Sequence, residues 1–510
     1  MKMQALTKIL SAWAALGVAL TAVSCFGIQE ENYPDLSPII ITAQSDTINA
    51  QLGVELHYTG ISIESEGDVT CEWSYGEPKS NTTVEQHQFA TRTVLETTSP
   101  TIDYTFTKLG SYILRLKVDN GESIVYKFFR LNVNSGFDEG VAILDNDPEG
   151  NASIAFIKTL TAEEKARGDQ EVFHLAPVTG LRNGVALYMC NASLSNLGDQ
   201  AGFAVATADA DGTMYLIQPK TFELVISSGM RPEFGTACRE MGGEYARVHD
   251  MGSYCISEDG RVFRFDLLLG YITEITGFPT ALERVTGALN RSSATSASTI
   301  YPVFFNKDWL CVRSSVSAGV KRITQEGYEI VNVACARTSN LYPVYAILRS
   351  KADPSAYRIQ RTTFSSGGTT TWQVVDGEVF HTDFRTTDLK MDMQSKIVNT
   401  KASSDVYYTY GNAIYRWGLG TSPGIRPAIS LPQGEQIRDI ATNFMGKAAA
   451  ASTSLDVGED LLYVATYNPG RSGDRKGSLY VYRFSDDSLV AAYEGICHDP
   501  ASVVYKYRIN

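Results

Sequence analysis

The sequence predicts an all-β chain in two parts, an immunoglobulin-like sandwich over residues 38–135 and a roughly seven-bladed β-propeller over residues 136–510. Three observations carry this. Short alternations of apolar and polar residues, rich in β-branched and aromatic side chains, recur along the chain, as strands require. Strong helical periodicity is missing beyond Gly136. Turns of one kind, each followed by a strand-like run, return with a period of about 50 residues, close to the length of a propeller blade.

The first residues precede the fold. Lys2 and Lys8 lead into an uncharged apolar run from Ile9 to Val23 that ends at Ser24-Cys25. That order is the order of a secretory signal, and the run is shorter than the roughly 20 residues a membrane-spanning helix needs. Residues 1–24 are therefore expected to be a removable signal. Ala22 and Ser24 before Cys25 resemble the bacterial lipobox, with Ala22 where that pattern carries Leu. The resemblance implies that the Cys25 thiol is lipidated and becomes the new N-terminus, held in the outer membrane by two or three acyl chains. Residues 25–37 form a tether, with Gln29, Glu30 and Glu31 ahead of Tyr33-Pro34-Asp35-Leu36-Ser37-Pro38. The proline-bearing stretch reads as extended. The acidic cluster is similar to the surface-export signal of Bacteroidetes lipoproteins, and a solvated linker accounts for it equally well.

Composition narrows the partners. The net charge of −13 becomes −15 once Lys2 and Lys8 are lost, and there is no Lys/Arg run. This argues against a nucleic-acid partner. Besides Cys25 the cysteines are Cys71, Cys190, Cys238, Cys255, Cys311, Cys335 and Cys497. They form no CxxC pair and no ligand cluster of the kind a metal needs, so they read mostly as small buried residues. One or two disulfides stay open as an alternative, although an odd count cannot pair fully.

In residues 38–135 the strand-like runs are Ile39 to Thr42, Val54 to Tyr58, Val69 to Tyr75, Ile102 to Phe106, Tyr112 to Val118 and Val125 to Val133. Asp119-Asn120-Gly121 supplies a hairpin turn. About seven strands in this length predict an immunoglobulin-like sandwich. Trp73, Tyr104-Thr105-Phe106 and the run Gly110-Ser111-Tyr112-Ile113-Leu114-Arg115-Leu116-Lys117-Val118 resemble a PKD-type domain, with Leu114 at that pattern's first Val and Ile113 interrupting the alternation. Trp73 is read as the core aromatic, and the module as a spacer that presents the rest of the chain.

The repeat lies beyond. Gly150-Asn151, Asp211-Gly212, Asp259-Gly260, Gly411-Asn412 and Gly477 each lead into a strand-like run, and Trp309 to Val312 and Tyr357 to Ile359 fill the gaps. Seven copies imply blades that bury their faces only by stacking around an axis. The last run, Val503 to Arg508, is expected to close the ring against the first blade. One short helix is expected at Thr161-Ala162-Glu163-Glu164, where Thr and Glu three residues apart form a capping box.

Chemistry is sparse. His381-Thr382-Asp383 and His498-Asp499 are the tight His/carboxylate pairs, read chiefly as polar loop residues. Asp209-Ala210-Asp211-Gly212 lacks the distal Glu of a calcium loop, and Asp145, Asp147 and Glu149 read as a second acidic turn. Gly418-Leu419-Gly420 followed by Gly424 reads as a turn, because Pro423 and the want of a following helix argue against a dinucleotide loop. No nucleophile elbow, zinc-protease motif or phosphate loop occurs, so no catalytic residue, metal ligand or cofactor is assigned. Trp309 and Trp372 stand beside loop signals and are candidate ligand platforms, with blade core as the alternative. The polar loops from Arg291 to Thr299 and from Asn468 to Gly477 are candidates for a binding face.

The junction Gly136-Phe137-Asp138-Glu139-Gly140-Val141-Ala142-Ile143-Leu144, the following Asp147-Pro148-Glu149-Gly150 and the terminal Val504-Tyr505-Lys506 are similar to those of the PKD-like lipoproteins of Bacteroidetes, found beside SusC/SusD-type outer-membrane importers. The resemblance spans nearly the whole mature chain through architecture and weak motifs. It implies a surface lipoprotein that does not catalyse but binds, taking or passing oligomeric glycan or peptide to such an importer. A propeller-fold glycan hydrolase or lyase and a purely structural partner of the importer are the alternatives. Metabolic labelling with a fatty acid is expected to mark the protein, and Cys25→Ala is expected to abolish the label.

Overall fold

The computed structural model describes residues 37–175, 181–190, 193–194, 198–199, 202–244, 252–266, 270–279, 281–289, 300–313, 320–335, 342–366, 372–399, 405–443 and 460–506. Cys25, the signal and most of the tether lie outside the described residues. The chain divides into two compact units, Met1–Ser135 and Gly136–Asn510, and nearly all of its regular structure is strand.

In the first unit one five-stranded sheet runs Thr47–Gln51, Ile124–Asn134, Gly110–Asp119, Thr70–Gly76, Thr93–Val94. Its edge strand Thr47–Gln51 is parallel to Ile124–Asn134, and the other pairs are antiparallel. Two further ladders pair Ile40–Ala43 with Ile61–Glu64 and Glu55–Tyr58 with Ile102–Thr105. Trp73 is fully buried among Phe129, Leu114, Leu116, Val118 and Ile102, and its indole Nε1 donates to the Ser99 carbonyl at 3.1 Å. The alternation lapses at Tyr112-Ile113-Leu114 because all three are buried. Here a short 3-10 turn, Val84–Gln86, packs on the strand, so the sheet face that elsewhere meets solvent is covered.

The second unit consists, among the described residues, of seven four-stranded antiparallel sheets in a propeller-like arrangement, together with one small two-stranded ladder, Ser193–Leu194 with Gly198–Asp199. Blade I joins Asp499–Lys506 to Gly140–Asn146, Ala152–Lys158 and Val172–Leu175. Blades II to VII each take four strands in chain order, beginning at Gly184–Cys190, Cys238–Glu244, Arg284–Leu289, Tyr328–Cys335, Ile397–Asn399 and Gln436–Thr442. These first strands, with Asp499–Lys506, are the innermost. Neighbours among them touch, and blades V and VI are joined by a hydrogen bond from Asn399 Nδ2 to the Cys335 carbonyl at 2.5 Å.

Packing explains why the ring forms. Among the described residues six apolar clusters fill the seven gaps between blades. One spans VII, I and II around Phe156, Phe203 and Tyr463. Others lie between II and III around Phe263 and Phe265, between III and IV around Tyr254 and Phe304, and between IV and V around Val303 and Leu348. Trp417 and Tyr408 fill the gap between V and VI, and Tyr407 and Tyr480 that between VI and VII. Each sheet is thus apolar on both faces and needs two neighbours.

The seven turn signals sit in seven different blades, in the hairpin between second and third strands or at the start of the third. A side chain near the end of the second strand folds most of these turns by accepting backbone N–H groups: Asp147 from Asn151, Asp209 from Asp211 and Thr213, Asn306 from Asp308 and Trp309, Asn468 from Gly470. Gly150, Gly212, Gly260 and Gly411 adopt positive φ there, which glycine tolerates without strain. The sheet alternation therefore survives while the residues that make the turn vary, and the repeat is faint in sequence. Helix Ala162–Arg167 carries the expected capping box between Thr161 and Glu164, and Glu164 also binds the buried Lys158 at 2.7 Å.

The closing strand 499–506 pairs along its length with Gly140–Asn146. Its Tyr505 is 2% exposed, stacks on Tyr463 at 5.6 Å and donates its hydroxyl to Glu139. Truncating the chain after His498 is expected to remove cooperative unfolding of this unit in calorimetry. Tyr505→Ala alone is expected to cost about 3–5 kcal/mol, the range for emptying a large aromatic site, read by urea denaturation.

Candidate functional site

The loop 468–476 of blade VII, between strands Leu461–Tyr467 and Gly477–Arg483, frames a depression of about 660 Å³ lined by Arg471, Ser472, Asp474, Arg475, Glu494 and His498. That volume lies in the range of about 300–1,000 Å³ usual for ligand sites.

One wall is built on a buried carboxylate. Glu435 is 1% exposed and accepts from Thr466 Oγ1 at 2.6 Å, Asn468 Nδ2 at 3.1 Å and Arg471 Nη2 at 2.7 Å. Arg471 Nη1 donates to Glu494 at 2.9 Å, and the Tyr480 hydroxyl donates to the other Glu494 oxygen at 2.9 Å. Held between two carboxylates, the Arg471 guanidinium has its pKa pushed further up. Arg471 first and Tyr480 second hold Glu494 below the usual carboxylate range. Such charge-assisted hydrogen bonds fix the loop in one geometry.

The other wall belongs to ring closure. Asp145, in the second strand of blade I, is 3% exposed. Its two oxygens receive the His498 backbone N–H at 2.7 Å and the His498 Nδ1 at 2.8 Å. Burial, the largest influence, raises the Asp145 carboxyl despite the lowering effect of His498. This arrangement leaves the Nε2 edge of His498 for the depression. On the outer strand of the same blade, His174 Nε2 lies 2.7 Å from Arg475 Nη1. Arginine only donates, so His174 accepts at Nε2. Partial desolvation first, and the Arg475 charge second, hold His174 below its ordinary value of 6.5.

A second polar region surrounds the axis. The innermost strands of blades I, II, III, V and VII each carry one extra residue, at Ala501, Val185, Arg239, Val331 and Arg438. Such bulges re-aim the side chain that follows. The residues after them are Ser502, Ala186, Glu240, Asn332 and Asp439. Glu240 pairs with Arg284 of blade IV at 2.8 Å. Asn332 Nδ2 donates to the carbonyls of Asp392 and Ser395 at 2.7 and 2.9 Å, and Asp439 receives Ser502 Oγ at 3.0 Å and the Val503 N–H at 2.9 Å. The connection between blades V and VI crosses this end, and its Met393 carbonyl accepts from Arg284.

No family model matches the sequence, and no curated protein does either. Among solved structures the chain is similar to a quinoprotein alcohol dehydrogenase-like protein from Bacteroides thetaiotaomicron, at 14% identity and a TM-score of 0.40 over 91% of this chain and 99% of that one. It is also similar to a DUF4784 family protein from Bacteroides caccae, at 10% identity and a TM-score of 0.26 over 92% and 99%. Both likenesses are remote, and neither carries a functional assignment.

Of the residues expected from sequence, Trp309 opens the third strand of blade IV and packs, partly buried, against the cluster between blades III and IV. Trp372 opens the outer strand of blade V, and its side chain lies outside the described residues, as does the loop 291–299. Loop 468–477 frames the depression. One expectation needs correction. Asp145 is not in an acidic turn: it lies within the buried strand Gly140–Asn146, while Asp147 makes the turn. His498 pairs with Asp145 and not with Asp499, whose carboxylate binds Arg438 at 2.8 and 3.1 Å. His381 is exposed, and its neighbour Asp383 is bound by Arg358 at 2.7 Å. The six described cysteines are buried and free. Among the described residues no group of three His, Cys, Asp or Glu side chains could hold a metal.

Arg471→Met would leave Glu435 buried without its cation. Removing one partner of a buried pair costs about 3–5 kcal/mol, and with Thr466 and Asn468 still bonded the low end is expected in urea denaturation. For His174 the folded-state pKa is depressed, so its contribution to stability is present above about pH 6.5 and is lost as pH falls through the folded value. Imidazole NMR is expected to show His174 titrating below its ordinary value, with Arg475→Ala moving it up only in part, because desolvation is the larger cause.

Proposed function

We propose that this chain is a lipid-anchored, exported binding protein that serves as an accessory component of a SusC/SusD-type importer, with the depression at loop 468–476 as its ligand face. The reading places the anchor at Cys25, treats residues 38–135 as an immunoglobulin-like, PKD-type spacer and gives the ring the contact role. The Trp73 core and the Tyr112 hydroxyl turned back onto the Leu109 carbonyl at 3.0 Å support the spacer assignment, since a tyrosine bonded to nearby upstream backbone recurs in such sandwiches.

The observation that carries the binding role is the state of the site's polar groups. Three of its four carboxylates are already committed, Glu435 and Glu494 to Arg471 and Asp145 to His498, and among the described residues Asp474 alone of the four stands exposed without such a partner. A glycan hydrolase needs one carboxyl free to give a proton and another free to act across the scissile bond. What this face offers instead is accessible hydrogen-bonding groups: Arg475 held against His174 and His498 held by Asp145, with exposed Ser472 and Asp474 beside them. Donors and acceptors held in place by neighbours suit recognition of a polar oligomer, glycan or peptide, because little ordering remains to be done on binding. A purely structural grip on the importer is the second reading, favoured by the exposed pairs Leu224-Val225, Val379-Phe380 and Leu489-Val490 on outer strands.

Calorimetric titration of the purified protein with oligosaccharides and oligopeptides is expected to show binding without product release, weakened at least tenfold by Arg475→Ala. Pulldown from solubilised outer membrane is expected to recover a SusC/SusD-type pair. Product formation would overturn the reading in favour of an enzyme, and recovery of the importer with no oligomer binding would favour the structural one.

A further inference from the structure

We propose that the cavity on the ring axis is a second binding site, separate from the depression, for a compact uncharged group bearing adjacent hydroxyls. The cavity measures about 130 Å³ and is lined by Glu240, Arg284, Asn332, Ser395, Lys396 and Asp439. One water fills only about 10–15 Å³ of such space, whereas a whole drug-sized ligand takes 300 Å³ or more. The volume suits a group of a few heavy atoms, such as the end of a longer molecule.

Most of the lining is already satisfied. Arg284 Nε donates to both Glu240 oxygens, at 3.0 and 2.8 Å. Asn332 gives its amide hydrogens to two carbonyls and receives the Val333 N–H at 2.7 Å. Asp439 Oδ2 is taken by Ser502 and Val503. Among the described residues the exceptions are Arg284 Nη2, which has no acceptor, and the facing pair of Lys396 and Asp439. Lys396 Nζ stands 3.9 Å from Asp439 Oδ1, with side-chain exposures of 41% and 13%. That distance permits attraction and excludes a hydrogen bond. Among the described residues Lys396 Nζ meets no closer acceptor, so an ammonium and a carboxylate oxygen both border the cavity with bonding capacity to spare.

Charge decides what fits. Glu240 cancels Arg284, and Asp439 cancels Lys396, so the lining is neutral as it stands. An anion would bind Lys396 while facing Asp439, and a cation would bind Asp439 while facing Lys396. In a partly desolvated site either leaves a charge uncompensated, which is costly. A hydroxyl accepts from Nζ and donates to Oδ1 through a single oxygen about 2.8 Å from each, and it disturbs neither charge. A neighbouring hydroxyl uses the remaining ammonium donors. The chemistry is that of a sugar edge or a simple polyol.

Saturation-transfer NMR on the full purified chain tests this with methyl α-glucoside and glycerol as hydroxylated probes, and with acetate, methylammonium and acetamide as comparisons. The hydroxylated probes are expected to receive saturation, with affinity at least tenfold weaker in Lys396→Met. A response to methyl α-glucoside alone assigns a sugar edge, and equal responses assign any polyol. A crystal soaked in methyl α-glucoside gives a readout free of mutation, with density expected between Lys396 Nζ and Asp439 Oδ1. Equal or stronger transfer to acetate, methylammonium or acetamide would overturn the proposal. So would indifference to Lys396→Met, or a soaked cavity holding water only.

Discussion

The ladder between Asp499–Lys506 and Gly140–Asn146 is the interaction on which the second unit depends. Every sheet in the ring is apolar on both faces, so each is stable only between two neighbours. Six sheets are continuous in sequence, and the seventh exists only when the two ends of the unit meet. The closing strand brings more than backbone hydrogen bonds. Val503 and Tyr505 enter the cluster shared by blades VII, I and II, and Lys506, fully buried, donates its ammonium to the Asp138 carbonyl at 2.5 Å. The depression inherits its position from this joint, because His498 immediately precedes the closing strand and Asp145 lies on the strand it closes against.

Polar contacts between blades form a second system inside the apolar one. Bulges turn Glu240, Asn332, Asp439 and Ser502 toward the axis, and their partners lie on the next blade or on the connection that crosses the opening. Buried ionic pairs of this kind add little net stability, since desolvation offsets attraction. Their geometric demands are strict, however, and they fix the rotation of one blade against the next more narrowly than apolar packing does. A ring built this way holds a surface loop such as 468–476 on a rigid frame, and Glu435 extends that frame to the loop through Arg471.

What the sequence disclosed depends on how local each signal is. The capping box at Thr161 and Glu164 and the turn glycines need only neighbours a few residues away, so they are plain in one dimension. Trp73 stood out because a tryptophan within alternating strands has few places to go but inward. The Asp145–His498 pair was invisible, with 353 residues between its partners, and adjacency in sequence pointed to Asp499 instead. The bulges were hidden for a related reason: one extra residue breaks the period-two pattern that identifies a strand, so the positions that face the axis are those where the pattern reads worst. Loop 468–477 was legible as a candidate face from its length and polarity alone, although nothing local foretold the carboxylate beneath it.

Closure within a single sheet also makes the ring indifferent to where its chain is cut. Gly140 and Lys506 face one another across the ladder, about 5 Å apart in the spacing of paired strands, so a linker of a few residues would join them. Any connection from a blade's outer strand to the next inner one then becomes an equivalent place to begin. Circular permutants opened between blades would keep every interface of the ring while moving the point of attachment around the rim.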